Sequence, residues 1–138
     1  MKDRNIVKSD NWATPKDLYD KLDAEFGFDY DPCPLHSSFD GLKQDWGKVN
    51  FVNPPYSLKL KTEFVKRAVK EQAKGNTSVL LIPVSTSTKL FHDYILPNAD
   101  DIRFLKGRVK FIGYNTKGDL VDDKCGMFDS MVIVLRGK

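Results

Sequence analysis

The sequence predicts an α/β fold, with a mostly parallel sheet and an antiparallel pair at its C-terminal edge. Three observations predict it. Strand-like and helix-like stretches alternate over the first two-thirds of the chain, as parallel strands with crossover helices require. "SVLLIPV" (residues 78–84) is a continuous apolar run, the pattern of a strand buried on both faces. "DIRFL", "RVKFIG" and "SMVIVLR" then follow one another without intervening helices, so antiparallel pairing is expected there. The 138 residues fit a polar arm over 1–11 and a single domain over 12–138, with no separate target-recognition domain.

Along the chain, "TPKDLYDKLDAEFGF" reads as a helix, with Thr14 as N-cap and Pro15 at the first helical position. Leu18, Leu22 and Phe26 form its apolar stripe and Gly27 stops it. "FDYD" is a short strand that breaks at "PCP". A loop with at most a helical turn ("SSFDGLKQDWGK") leads into the strand "VNFV" (49–52). Residues 58–74 form a basic amphipathic helix with Leu60, Phe64, Val65 and Ala68 inward, closed by Gly75. "TSTKLFHDYIL" reads as a further helix. The polar stretch over 113–129 is a long loop, and loops of that length are commonly functional.

Composition excludes several classes. The net charge of +3 permits contact with a phosphate backbone without requiring it. Two cysteines, Cys33 and Cys125, with no CxxC and no His/Cys cluster, argue against a disulfide framework or structural zinc. His36 and His92 stand apart, and no metal is assigned. No apolar run is long enough to span a membrane, and the N-terminus has no signal-peptide core, so an intracellular protein is expected.

The chemistry concentrates in "NPPY", residues 53–56, between a buried strand and a helix. In open α/β sheets, ligands sit outside the carboxyl ends of the strands. Pro54 and Pro55 lock two φ angles and remove two N–H donors, leaving a stiff backbone of carbonyl acceptors beside the Asn53 side chain. Tyr56 adds a flat face on which a ring can stack. An exocyclic amine whose hydrogens are both accepted, by the Asn53 side-chain oxygen and the Pro54 carbonyl, is drawn toward a tetrahedral nitrogen with an available lone pair. That is preorganisation toward a transition state and requires no strong base. The plainer reading is a Pro-Pro turn capped by Asn with Tyr56 as packing; the position at a strand end favours the chemical one.

"NPPY" at a strand end resembles the signature of amino-methyltransferases that use S-adenosylmethionine. The ordered segments "WATPKDLYDKLDAEFGFDYDPCP", "DW", "FVNPPYS", "LLIPVSTST" and "LKGRVKF" resemble the phage-type DNA N-6-adenine-methyltransferase family over nearly the whole chain. The resemblance implies a reduced Rossmann-like class I methyltransferase fold. It implies a site-specific enzyme that methylates a flipped-out adenine in double-stranded DNA with S-adenosylmethionine as cofactor. It further implies a cytoplasmic location in a bacterial or phage-infected cell. Asn53, Pro54, Pro55 and Tyr56 would form the catalytic cup. Trp12, Thr14, Pro15, Asp31, Pro32, Cys33 and Asp45 would line the cofactor, Asp45 against its adenine amine. The pattern departs from the family where a glycine-rich loop should follow the first strand, since "PLHSSFDG" supplies only Gly41. A trimmed sheet is therefore expected, with a homo-oligomer as one way to complete the site.

Ser57, Lys59, Lys61, Arg108 and Lys110 are the candidate DNA contacts. A solvated helix face is the alternative for the lysines of the basic helix, as is a structural salt bridge for Arg108. Trp12 can equally be core packing, Asp45 a turn residue, and Cys33 a small buried residue rather than a nucleophile. Asp29 reads as a solvated strand-edge carboxylate. Among Ser85, Thr86, Ser87 and Thr88, at least one is expected to cap the next helix. The alternative activities are RNA-adenine or protein-glutamine methylation, since both present amines or amides to the cup. A non-catalytic DNA-binding decoy on the same fold is the remaining alternative.

Overall fold

The structure, a computed structural model, describes residues 13–34, 40–55, 57–109, 113–114, 120–121 and 129–138. The polar arm, Trp12, His36, Tyr56, Lys110, Cys125 and most of the loop over 113–129 lie outside the described residues. Helix α1 (Lys16–Phe26) ends as expected on Gly27, whose left-handed φ of 69° turns its N–H back to the Asp23 carbonyl. Pro15 occupies the N-cap position, and Thr14, read as the cap, lies just outside the helix. Tyr30 makes a parallel bridge to Asn50, so "FDYD" contributes a rudimentary strand. A 3₁₀ turn (Gly41–Lys43) leads to β1 (Val49–Val52), then α2 (Leu58–Ala73) and β2 (Thr77–Pro83). The next helix is a single wide π-helical segment (Leu90–Ile95), in which Leu96 N–H bonds the Phe91 carbonyl at 2.7 Å. Strands β3 (Asp101–Phe104), β4 (Gly113–Tyr114), β5 (Leu120–Val121) and β6 (Ser130–Leu135) complete the described elements.

The four-stranded sheet has the order β1-β2-β6-β3, and β4 pairs with β5 in a separate two-stranded piece. β1 runs parallel to β2, whereas β6 runs antiparallel to both β2 and β3. The sheet is therefore mixed rather than mostly parallel, and its antiparallel strand is interior rather than at the edge. The reason lies in β6 itself. All six of its residues are buried, and a strand with no solvent-facing side belongs where neighbours satisfy both of its hydrogen-bonding edges.

Alternation divides the core into two layers. Val52, Leu80, Ile82, Met131 and Ile133 pack against Phe64, Val65 and Ala68 of α2 and against Leu90, Phe91 and Ile95. Phe51, Val79, Leu81, Val132 and Val134 face the other way, onto Leu22, Leu18 and Phe26 of α1. Arg103 of β3 holds α1 from the side through a two-point contact to Glu25, with nitrogen–oxygen distances of 2.7 and 2.6 Å. Among the described residues, no helix is long and apolar enough to cross a membrane.

Candidate active site

β1, β2 and β3 point the same way, so their carboxyl ends, and that of the Tyr30 segment, share one edge of the sheet. Asn53 and Pro54 follow β1 directly and are buried, with Pro55 half-buried. Two-residue alternation puts Asn53 on the side of Phe51, which is the α1 side. That side matters because the residues just before α1 and along its first turn can then reach the strand end.

They do. Asn53 Nδ2 donates to Thr14 Oγ1 at 3.2 Å. The hydroxyl read as a helix cap thus engages the Asn53 amide, of which Oδ1 is the acceptor. On the other flank, the Cys33 thiol donates to the Asn53 backbone carbonyl at 3.1 Å. The Cys33 N–H donates to Asp31 Oδ1 at 2.9 Å. Thr14, Asp31, Cys33 and Asn53 together line a cleft of about 150 Å³. Four of the residues predicted for the site therefore converge.

Electrostatics differ sharply within this cleft. Burial pushes the Asp31 carboxyl up to about 6, a change that the Cys33 N–H opposes only in part. Burial, reinforced by the Asp31 charge, pushes the Cys33 thiol well above its usual range, so it keeps its proton and acts as a donor. No disulfide engages Cys33.

Sequence reading missed Ala13, Tyr19, Pro34 and Phe51 as walls of the same cleft. Tyr19 meets Phe51 edge-on, with ring centroids 5.1 Å apart. Burial, then the charges of Asp23 and Asp31, push its phenol up. The signal for Phe51 was present: it stands two residues before Asn53 and therefore shares its face.

Other predicted residues lie elsewhere. Pro15, Pro32 and Asp45 are not among the cleft's lining residues. Pro32 is buried, and its carbonyl abuts Gly41 so closely that a Cβ there would sit 1.8 Å from the oxygen. Gly41 thus presses the 3₁₀ turn against the Asp31–Cys33 segment. Asp45 is exposed, next to a buried Trp46 whose ring nitrogen donates to the Gly41 carbonyl at 2.9 Å. Asp29 accepts the Lys48 and Val49 N–H groups, which latches the turn into β1 rather than leaving the carboxylate merely solvated.

Ser57 and Lys59 are exposed at the start of α2, and Lys61 is half-buried. Arg108 pairs with Asp129 at 3.8 Å on the surface, the salt bridge named as its alternative role. Thr88 is the capping member of its Ser/Thr run, accepting the Phe91 N–H at 3.2 Å.

A family model described as DNA N-6-adenine-methyltransferase (Dam) matches residues 3–137. No match emerged among curated proteins or among solved structures. Of the Asn-Pro-Pro residues that follow β1, Asn53 lines the cleft and Pro54 and Pro55 do not. With nearly the whole of it matched, the chain belongs to the DNA N-6-adenine-methyltransferase (Dam) family.

Proposed function

We propose that the protein methylates adenine N6 in double-stranded DNA, using S-adenosylmethionine, on a reduced methyltransferase-type fold. The observation that carries this reading is the position of Asn53. Its amide nitrogen is engaged by Thr14 at 3.2 Å, and the residue lines the cleft that Asp31 shares. An amine donating to Asn53 Oδ1 and to the Pro54 carbonyl has its lone pair directed away from both acceptors. The base reaches that position only by leaving the stack, at a cost of a few kcal/mol that Tyr56 stacking would offset in part.

The cofactor is a cation at both its sulfonium and its ammonium, and the cleft suits a cation. Asp31 is a carboxylate that burial makes hard to ionise, and a positive ligand is the partner that restores its charge. At about 150 Å³ the described cleft matches one end of such a molecule rather than all of it. Thr14 and Asp31 would hold that end, with Tyr19 as a wall. S-adenosylmethionine would supply an electrophilic methyl group, its sulfur leaving as a neutral thioether, and the methylated amine would release one N–H proton to solvent. The chain's own part is positioning: Asn53 and Pro54 orient the amine, and the prolines keep the acceptors from relaxing away.

The cup itself would accept an RNA adenine or a glutamine amide equally well; the family match is what favours DNA. The single-domain reading leaves target choice to segments such as residues 113–129. The test is methyl transfer from labelled cofactor to DNA, RNA and protein, with Asn53→Ala beside the wild type. DNA labelled at adenine N6 is expected, with about a 100-fold or greater loss in the variant and cofactor affinity within a few-fold. Full activity in the variant would overturn the assignment of the cup. Label in RNA or protein alone would overturn the substrate.

A further inference from the structure

Asn53 is gripped from both sides, and the grip on its backbone comes from the segment expected to hold the cofactor. The sheet ladder of β1 ends at Val52, so the Asn53 carbonyl lies just beyond it. Cys33 Sγ–H reaches this carbonyl at 3.1 Å, twenty residues away in sequence. The thiol's own backbone is fixed by Asp31 Oδ1, at 2.9 Å from Cys33 N. One continuous path therefore runs from the Asp31 carboxylate through Cys33 to the peptide that joins Asn53 to Pro54.

That peptide is a sensitive place to hold. Asn53 and Pro54 each precede a proline, so both are confined to extended backbone. The Pro54 ring fixes its φ near −65°. Once the Asn53 carbonyl is pinned, one soft torsion, ψ of Pro54, is left to aim the Pro54 carbonyl. The Pro54 carbonyl thus inherits its direction from the bond that Cys33 makes, and the Asn53 side chain, aimed by its own torsions and by Thr14, hangs from the same held peptide. A thiol is a weak donor, but only its protonated form can donate, and burial beside a carboxylate keeps it protonated.

We infer that Cys33 is a positioning residue: its thiol orients the Asn53–Pro54 acceptors and links the Asp31 end of the cleft to the amine cup. It touches no reacting atom and forms no covalent intermediate. The inference rests on the proposed methyl transfer, yet one of its readouts does not depend on it.

The experiment compares wild type with Cys33→Ala and Cys33→Ser in steady-state methylation of adenine-containing DNA. It adds the carbon-13 carbonyl resonance of Asn53 measured by NMR on the full chain. Cys33→Ala is expected to lower kcat roughly 10- to 100-fold, as a misplaced reactive group does, while KM for the cofactor changes less than about threefold. Cys33→Ser keeps a donor and is expected to recover most of the lost kcat. The Asn53 carbonyl signal should move in the alanine variant and move back toward wild type in the serine variant. With an active wild type, equal kcat in all three proteins, or equal impairment in the alanine and serine variants, would overturn the inference. So would an Asn53 carbonyl signal that Cys33→Ala leaves in place, which reads the contact even if wild type methylates nothing. That last result, an inactive wild type, counts against the proposed function alone.

Discussion

Asp31 shows how one residue carries both stability and function. Its carboxyl is raised from 3.8 to about 6, so the folded chain binds a proton more tightly than the unfolded chain does. The contribution of this group to stability is therefore fullest below about pH 4, declines as pH rises toward 6, and stays reduced above it. At ~1.4 kcal/mol per pH unit that shift costs at most about 3 kcal/mol above pH 6, lessened by the solvent that still reaches the group. Asp31→Asn is expected to raise the melting temperature at pH 8 and to leave it unchanged near pH 4. The same variant should weaken S-adenosylmethionine binding about tenfold and remove the rise in affinity between pH 5 and 7. Thermal melts and calorimetric titrations over that pH range check both halves. A variant less stable than wild type at pH 8 would show that Asp31 is held ionised by its surroundings instead. Thr14 teaches the complementary lesson. Ser/Thr before an apolar helix is a sound capping signal, yet here the hydroxyl serves Asn53, 39 residues onward.

At the scale of elements, α2 does more than cover the sheet. Its apolar positions are read correctly from spacing, since Phe64, Val65 and Ala68 are buried. Arg67, a basic residue of this helix, fastens the loop that leads into β1. Its guanidinium donates to the Leu42 and Gln44 carbonyls at 2.9 and 2.7 Å and to Glu71 at 2.8 Å, and it lies 5.0 Å from the Trp46 ring. Glu71 is only 2% exposed, and Arg67 and Asn76 hold its carboxyl below the usual range against the cost of burial. Arg67→Ala is expected to destabilise by about 3 kcal/mol, because it strands a buried carboxylate. In a Glu71→Gln background the same change should cost clearly less, which a double-mutant cycle by urea denaturation measures. Equal costs in both backgrounds would show that Arg67 acts only through the loop carbonyls. The π-helical segment was legible as a helix but not as a wide one. Its turn places Leu90, Phe91 and Ile95 against the sheet together, a demand set by packing rather than by local propensity.

For the whole molecule, the decisive feature is β6 between β2 and β3. Six register pairs join it to β2 and four to β3, and its side chains alternate into both core layers. Ile133→Ala removes a fully buried side chain and is expected to cost about 2–5 kcal/mol. Because β6 feeds both layers, far-UV and near-UV circular dichroism should still report one coincident transition in that variant. Separate transitions would mean that the two faces of the sheet unfold independently.

By itself, the sequence located α1, α2, β1, β2 and β6 and the apolar side of each helix, and placed two prolines directly after a buried strand. Those are local properties, set by periodicities of two and 3.6 residues and by the geometry of proline. It missed the β4–β5 pair inside the expected loop over 113–129, and Arg108 and Val109 of the expected strand "RVKFIG" are not strand. The tertiary structure alone decided that β6 lies inside the sheet, between β2 and β3, and that Thr14 and Cys33 hydrogen-bond the side chain and the carbonyl of Asn53. Neither could be read along the chain. Strand order is chosen by which edges can be hydrogen-bonded once all six residues of β6 must be buried. The site forms because segments remote in sequence end at the same edge of one sheet.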